Sequence, residues 1–252
     1  MRRHRSPLLG AAGVLILLVC WQLCVALGMV DVTLSSSPLR IANAEVHLFG
    51  GGKIYPALGA TGNELLWGLV ITFAVGIPLG LVLGRSTVLH DMTEPIVNVL
   101  YSVPYVMFLP IIIFWFGINN TARVIIIIWA AILPLIINIT AGVRNLAHDY
   151  TRVATVFCTP RLKFFYIVAL PATLPYILAG IRLAVGRALV GAIVAELFLA
   201  SEGLGYYVQT QASNFNMDSA MAGIVVLAVI ALLLNWGVRM IERHFTHWAV
   251  AR

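Results

Sequence analysis

Three ionisable side chains stand inside one apolar stretch, YILAGIRLAVGRALVGAIVAELFLA (176–200): Arg182, Arg187 and Glu196. A charge held at the middle of a bilayer costs about 2.5–3.5 kcal/mol on insertion scales, so such groups face protein or water rather than lipid. Arginines so placed could attract an anion along an aqueous route, and a carboxylate could neutralise one of them. At about 100° per residue, Arg182 and Glu196 fall within roughly 40° of each other on the helix surface and about 21 Å apart along it. Arg187 points to a different side. One charge can therefore line a pathway while another makes an internal pair. Arg182 has a second reading, at the cytoplasmic interface with its guanidinium reaching toward the headgroups. All three are candidates for a translocation pathway.

No catalytic constellation accompanies them. The sequence has no HExxH, GxSxG or Walker A pattern, and no cluster of His, Asp and Cys. The histidines at 4, 47, 90, 148, 244 and 247 fall in loops or tails. Cys20 and Cys24 share one helical face and read as small apolar packing residues, and Cys158 is alone, so neither a metal site nor a disulfide is expected. The expectation is a chain that is not an enzyme, holds no cofactor, and takes its energy from a gradient or a partner.

The elements that position these charges are set by composition. Of 252 residues, 61% are hydrophobic and 10% charged, against about 25% charged in soluble domains. Mean hydropathy is +0.96. Six apolar windows, near 8–30, 65–84, 95–117, 121–142, 172–200 and 219–238, are each long enough to approach the roughly 20 residues of a membrane span. Lipid offers backbone groups no partners, so the spans must be helical, and the fold class is all-α with six transmembrane helices. Prolines at 78, 104, 110 and 134 punctuate them. The N-terminal run from Leu8 to Val30 is too long for a signal-peptide core and is expected to stay as the first span. The net charge of +6 marks topology rather than nucleic-acid binding. With the N-terminus inside, the inner segments carry eleven basic residues and the outer segments only Arg40, Lys53 and Arg123. Both termini are then cytoplasmic in a multi-pass protein. The outer segment 31–64 reads as an external loop. The outer segment 201–220, SEGLGYYVQTQASNFNMDSA, reads equally as a solvated loop or a docking surface for an external partner.

Between the fourth and fifth spans lies a cytoplasmic segment, TRVATVFCTPRLKFFYIVALP (151–171). Thr159 and Pro160 are a good helix restart, with threonine at the cap and proline at the first helical position. Residues 143–171 are expected to fold as two short helices, VRNLAHDYTRVATVFC (143–158) and RLKFFYIVAL (161–170), joined by a tight turn, with Leu170-Pro171 stopping the second and opening the next span. The plainer alternative is a helix lying in the membrane interface.

The order of spans, this loop and LPATLPYILAGIRLAVGRALVGAIVAELFLASEGLGYYV (170–208) resemble the permease subunits of bacterial ABC importers. GIPLGLVLG (76–84), SVPYVMFLPIIIFWFGI (102–118) and LPLIINITAGV (133–143) resemble the subgroup handling nitrate, sulfonate and taurine. The resemblance implies a type I importer permease fold over 65–245, preceded by a span and external loop (1–64) and followed by a cytoplasmic tail (246–252). It also implies a bacterial inner-membrane location among lipid, a second permease copy, in the simplest case identical, two cytoplasmic ATPase subunits that bind the ATP, and an extracytoplasmic substrate-binding protein. Permeases of this kind dock on the ATPase through a loop that begins Glu-x-Ala, has Gly four residues later and ends in Leu-Pro. Ala154, Leu170, Pro171 and the basic Arg161 match that loop, and Thr159-Pro160 lies within it. Arg152 stands where the family has Glu, and Cys158 where it has Gly. The ATPase facing Arg152 is accordingly expected to carry an acidic residue. Two other classes compete: a secondary transporter or channel, which would show internal repeats that this sequence lacks, and a membrane scaffold uncoupled from any ATPase.

Overall fold

The computed structural model describes residues 5–31, 35–52, 54–145, 156, 160, 165–199 and 201–245. Among these residues every regular element is helical: α1 (Arg5–Ala26), α2 (Pro38–Gly50), α3 (Ile54–Arg85), α4 (Thr87–Ser102), a 3-10 turn (Tyr105–Phe108), α5 (Leu109–Phe116), α6 (Asn120–Arg144), a π turn (Phe165–Ala169), α7 (Leu170–Leu199), α8 (Leu204–Ser213) and α9 (Met217–Phe245). Four helices are long and apolar enough to cross a membrane: α3, α6, α7 with the turn before it, and α9. Counting α4 and the Tyr105–Phe116 segment as one bent span makes five. In α1 the apolar part, Ala12–Ala26, counts among the shorter helices, at about 22 Å against a hydrocarbon core of about 30 Å. The described helices thus supply four to five spans of the six expected.

The predicted span 95–117 departs most clearly from one continuous helix. The chain turns by 88° between Ser102 and Tyr105. Pro104 has no N–H to donate, and its ring disfavours helical geometry at the residue before it. Val103 is extended accordingly, with φ −79° and ψ 126°. Pro110 causes no such break, because it sits in the first turn of α5, where its missing N–H costs nothing. Polar side chains set other starts. Ser86 accepts from the Leu89 amide at the start of α4 (3.3 Å), and Asn119 accepts from the Ala122 amide at the start of α6 (3.0 Å).

Two compact units are distinguished, Met1–Ala60 with Glu202–Ala228, and Thr61–Ser201 with Val229–Arg252. In the second unit, α7 packs along α6 and their apolar faces form the core, with Ile127, Ala131, Leu135, Ile139, Ala184, Ala188 and Ala192 buried. A ridge of small residues on α3 closes against the same helix. Gly68, Gly76, Gly80 and Gly84 face Ile127, Leu135, Ile139 and Val143, one after another. A Cβ at Gly76 or Gly80 would lie 2.8 Å from a side-chain carbon of Leu135 or Ile139. Spacings of four and eight on both helices let the two ridges meet along about four and a half turns, the small-residue packing that membrane helices use to bring backbones together.

In the first unit, α2 begins at Ser37 and is tied to the start of α9 through Asp218. Asp218 accepts from the Ser36 hydroxyl at 2.6 Å and pairs with Arg40 at 3.0 Å. Residues 204–213, part of the segment read as a loop or docking surface, form α8, whose Tyr207 and Val208 press on Gly223.

Candidate functional site

The three charges of α7 separate once their neighbours are in place. The row Gly180, Ala184, Ala188, Ala192 and Glu196 is buried along its whole length. Glu196 is fully buried and accepts the Thr61 hydroxyl of α3 at 2.5 Å. One turn along α3, Glu64 pairs with Arg123 of α6, Oε1 to Nε at 2.7 Å, and both side chains are under 10% exposed. Arg123 also donates through Nη1 to the Leu199 carbonyl at the end of α7 (3.3 Å). Carbonyls at a helix end lack intrahelical donors, so Arg123 both balances a carboxylate and finishes a helix. These four polar residues lock three helices at one level. Glu196 belongs to that lock, away from both other charges of α7.

Arg182 is half-exposed and pairs with Glu242 of α9 at 2.9 Å. Together with Arg187, Arg239, Asn138 and Asn235 it lines a cavity of about 690 Å³. Ala179 and Gly186 of α7 leave room in its wall. No carboxylate lines this cavity, and with Arg182 balanced by Glu242 its unpaired positive charges among the described residues are those of Arg187 and Arg239.

Arg187 also reaches a second cavity, of about 270 Å³, formed at the bend of the α4–α5 span. Tyr101, Ser102 and Tyr105 line it from the bend, Trp129 and Leu133 from α6. The Trp129 ring packs on Phe108 with centroids 4.9 Å apart and planes tilted by 38°, and its Nε1–H is buried with no acceptor. The Ser102 hydroxyl donates to the Asn98 carbonyl at 2.8 Å.

In the first unit, a third cavity of about 570 Å³ is lined by Arg40, His47, Tyr207, Gln211, Asn216 and Asp218. Nearby, burial pushes the Glu45 carboxyl up from its ordinary range. Burial also pushes the Tyr207 hydroxyl up, against a hydrogen bond with Ser219 that lowers it, and the Glu45 charge adds to the rise.

Of the predicted coupling loop, Arg152, Ala154, Cys158, Thr159 and Arg161 lie outside the described residues, and Pro160 is exposed. Leu170 and Pro171 open α7, but no stop precedes them. The π turn 165–169 runs straight into the helix, because proline in a first turn begins a helix without interrupting one. Among the described residues no group of three His, Cys, Asp or Glu is arranged to hold a metal. Glu64, Thr61, Trp129 and Tyr105 were not singled out by the sequence. Glu64 and Arg123 sat at span edges there, and only the helix register brings them together.

Residues 76–247 match the family described as binding-protein-dependent transport system inner membrane component. The chain is 28% identical over 249 residues to the taurine transport system permease protein TauC of Escherichia coli (strain K12), covering 97% of this chain and 90% of that one. It is 30% identical over 233 residues to a Bacillus subtilis (strain 168) protein named as an aliphatic sulfonates transport permease, SsuC, covering 92% and 84%. With the nitrate import permease protein NrtB of Leptolyngbya laminosa it shares 33% identity over 178 residues, 71% of this chain and 64% of that one. Its fold resembles two crystal forms of the MetNI methionine ABC transporter in inward facing conformations. TM-scores are 0.64 and 0.65 at 17% and 16% identity, covering 77% of this chain and 94% of each.

Proposed function

The chain belongs to the family of binding-protein-dependent transport system inner membrane components, and we propose that it is the membrane-spanning permease of an ATP-driven importer for a small organic or inorganic anion of the sulfonate, taurine or nitrate type. The observation that carries the anion is the cavity of Arg182, Arg187 and Arg239, which has no carboxylate in its lining. Family membership supplies the rest of the reading. Two copies of the permease pair in the inner membrane with both termini cytoplasmic. Two ATPase subunits dock from the cytoplasm on residues 143–171, through Arg152, Ala154, Cys158, Thr159, Pro160, Arg161, Leu170 and Pro171. A binding protein delivers the solute outside. Closure of the ATPases on ATP moves the 143–171 segment and switches the helices between two states. The chain contributes no catalytic group to hydrolysis.

The test is reconstitution of the chain in proteoliposomes with the ATPase and binding protein encoded beside it. Uptake of taurine, ethanesulfonate or nitrate is expected only with all components and ATP. Uptake by the permease alone would replace the reading with a secondary transporter, and failure to capture any ATPase would leave a scaffold.

A further inference from the structure

We propose that α2 is an amphipathic helix that lies on the membrane surface, on the side where α1 ends and α3 and α9 begin, with Leu39, Ala42, Val46 and Phe49 set into the lipid at the acyl–headgroup boundary. This contact belongs to the first unit and does not depend on which solute is carried.

Four observations meet on α2. First, its sequence divides into three arcs. At about 100° per residue, Leu39, Ala42, Val46 and Phe49 share an arc of roughly 80°, and Arg40, Asn43 and His47 share the arc beside it. The polar arc lines the cavity of about 570 Å³, and Ile41 and Leu48 of the third arc are buried. The apolar arc has no cover among the described residues: Leu39, Val46 and Phe49 are 65%, 71% and 42% exposed, and Ala42 is exposed as well. Glu45, the acid of α2, lies between this arc and the buried one, with Oε1 shielded from solvent. Second, the start of α2 is tied to a helix that is bare along most of its length. The Leu39 amide donates to Gln22 Oε1 of α1 at 3.3 Å. Within Ala12–Ala26 only Trp21, Gln22, Cys24 and Val25 are covered, in whole or in part, and the apolar remainder is exposed. An apolar helix with so little protein around it belongs in lipid. Its apolar length of about 22 Å falls short of a core of about 30 Å, so its last turn, and Leu39 beside it, are held at bilayer level rather than above it. Third, the same end of α2 is pinned to the first turn of α9, a helix long enough to cross a membrane. Asp218 accepts from Ser36 at 2.6 Å and pairs with Arg40 at 3.0 Å. The charge beside the stripe thus brings its own counterion, which lowers the cost of lying close to an apolar phase. Fourth, only residues 51–53 separate α2 from α3, another helix of membrane length. Phe49 and Tyr55 meet across that junction edge to face, with centroids 6.4 Å apart, and Tyr55 is 58% exposed. Tyrosine is enriched at membrane interfaces. A helix lying in the interface keeps such a stripe covered at all times. A protein partner that binds and leaves would return the stripe to water at each departure, and no charged or hydrogen-bonding side chain stands on the stripe to orient one.

The experiment places one nitroxide label at a time on the full chain, reconstituted in vesicles of phosphatidylethanolamine and phosphatidylglycerol, after Cys20→Ala, Cys24→Ala and Cys158→Ala remove the native thiols. Labels at Asn43→Cys, Val46→Cys, His47→Cys and Phe49→Cys are read for collision with oxygen, which concentrates in lipid, and with a water-soluble nickel chelate. The oxygen-to-nickel collision ratio is expected to be several-fold higher at positions 46 and 49 than at 43 and 47, and to stay so when ATPase and binding protein are added. Size exclusion admits each variant, and if Val46→Cys does not pass, Leu39→Cys takes its place. Equal ratios at all the labelled positions would overturn the lipid contact. Nickel collisions at position 46 that disappear only when binding protein is added would overturn it in favour of a docking face for that protein. A label at position 46 that is immobile and reached by neither reagent in the chain alone would overturn it in favour of a contact between two copies.

Discussion

Neutralising either Glu64 or Arg123 alone should damage the protein far more than neutralising both. The two side chains are 2% and 9% exposed, and Nε and Oε1 are 2.7 Å apart. At an effective dielectric of about 20, charges at that distance attract by about 6 kcal/mol before desolvation is counted. Desolvation of two ions offsets most of that, so the intact pair adds little net stability. Removing one member strands the other charge in a dry site, at a cost of about 3–5 kcal/mol. Arg123→Gln also frees the Leu199 carbonyl that Nη1 holds at 3.3 Å, adding about 1 kcal/mol. Glu64→Gln with Arg123→Gln removes both charges and keeps two amides that can bond each other. That double variant should lose only about 1–2 kcal/mol, a coupling of at least about 3 kcal/mol between the sites. Equilibrium unfolding of the purified permease in mixed detergent micelles, followed by fluorescence, measures all four corners of the cycle. If the double variant loses the sum of the two single losses, or if both single variants stay within about 1 kcal/mol of wild type, the buried-pair reasoning is wrong.

Two other substitutions separate packing from charge. Gly80→Leu should lower stability by about 1–3 kcal/mol, because a Cβ there meets Ile139 at 2.8 Å and the Ile136 carbonyl at 3.3 Å, and a backbone carbonyl cannot step aside. Gly59→Ala, with nothing within 4 Å of its Cβ in the same helix, should leave the detergent melting temperature unchanged or higher. Glu45→Gln tests the partly buried carboxyl of α2, whose Oε1 has no hydrogen-bond partner. Burial raises its folded pKa above the unfolded value, so between the two the folded chain binds more protons and stability falls as pH rises. The melting temperature of Glu45→Gln should match wild type in acid and exceed it increasingly as pH rises through the folded pKa. A constant difference across that range would refute the assignment.

Local signals carried much of the architecture. Long apolar windows marked α3, α6, α7 and α9, and small residues at every fourth position from Gly180 to Ala192 lie on the buried face of α7. The same repeat on α3, from Gly68 to Gly84, was equally visible and was not read. The break at Val103-Pro104 had a signal as well, since a proline restrains the residue before it. Pro78, Pro134 and Pro175 sit inside helices that continue, so proline alone could not say which span would bend. What the sequence could not show was pairing. Glu64 and Arg123 are 59 positions apart, and no periodicity links them. Their contact depends on the level at which α3 meets α6, which the glycine ridge sets.

The charges of α7 show why helix geometry alone could not assign roles. Arg182 and Glu196 lie near one another on the helix wheel, yet one pairs with α9 and the other is sealed against α3. The angular position was right, and the neighbours decided the chemistry. Once Glu196 is bonded to Thr61 and Arg182 to Glu242, Arg187, which is exposed, is the charge of α7 with no ion pair among the described residues. It lines both cavities of the second unit that border α7.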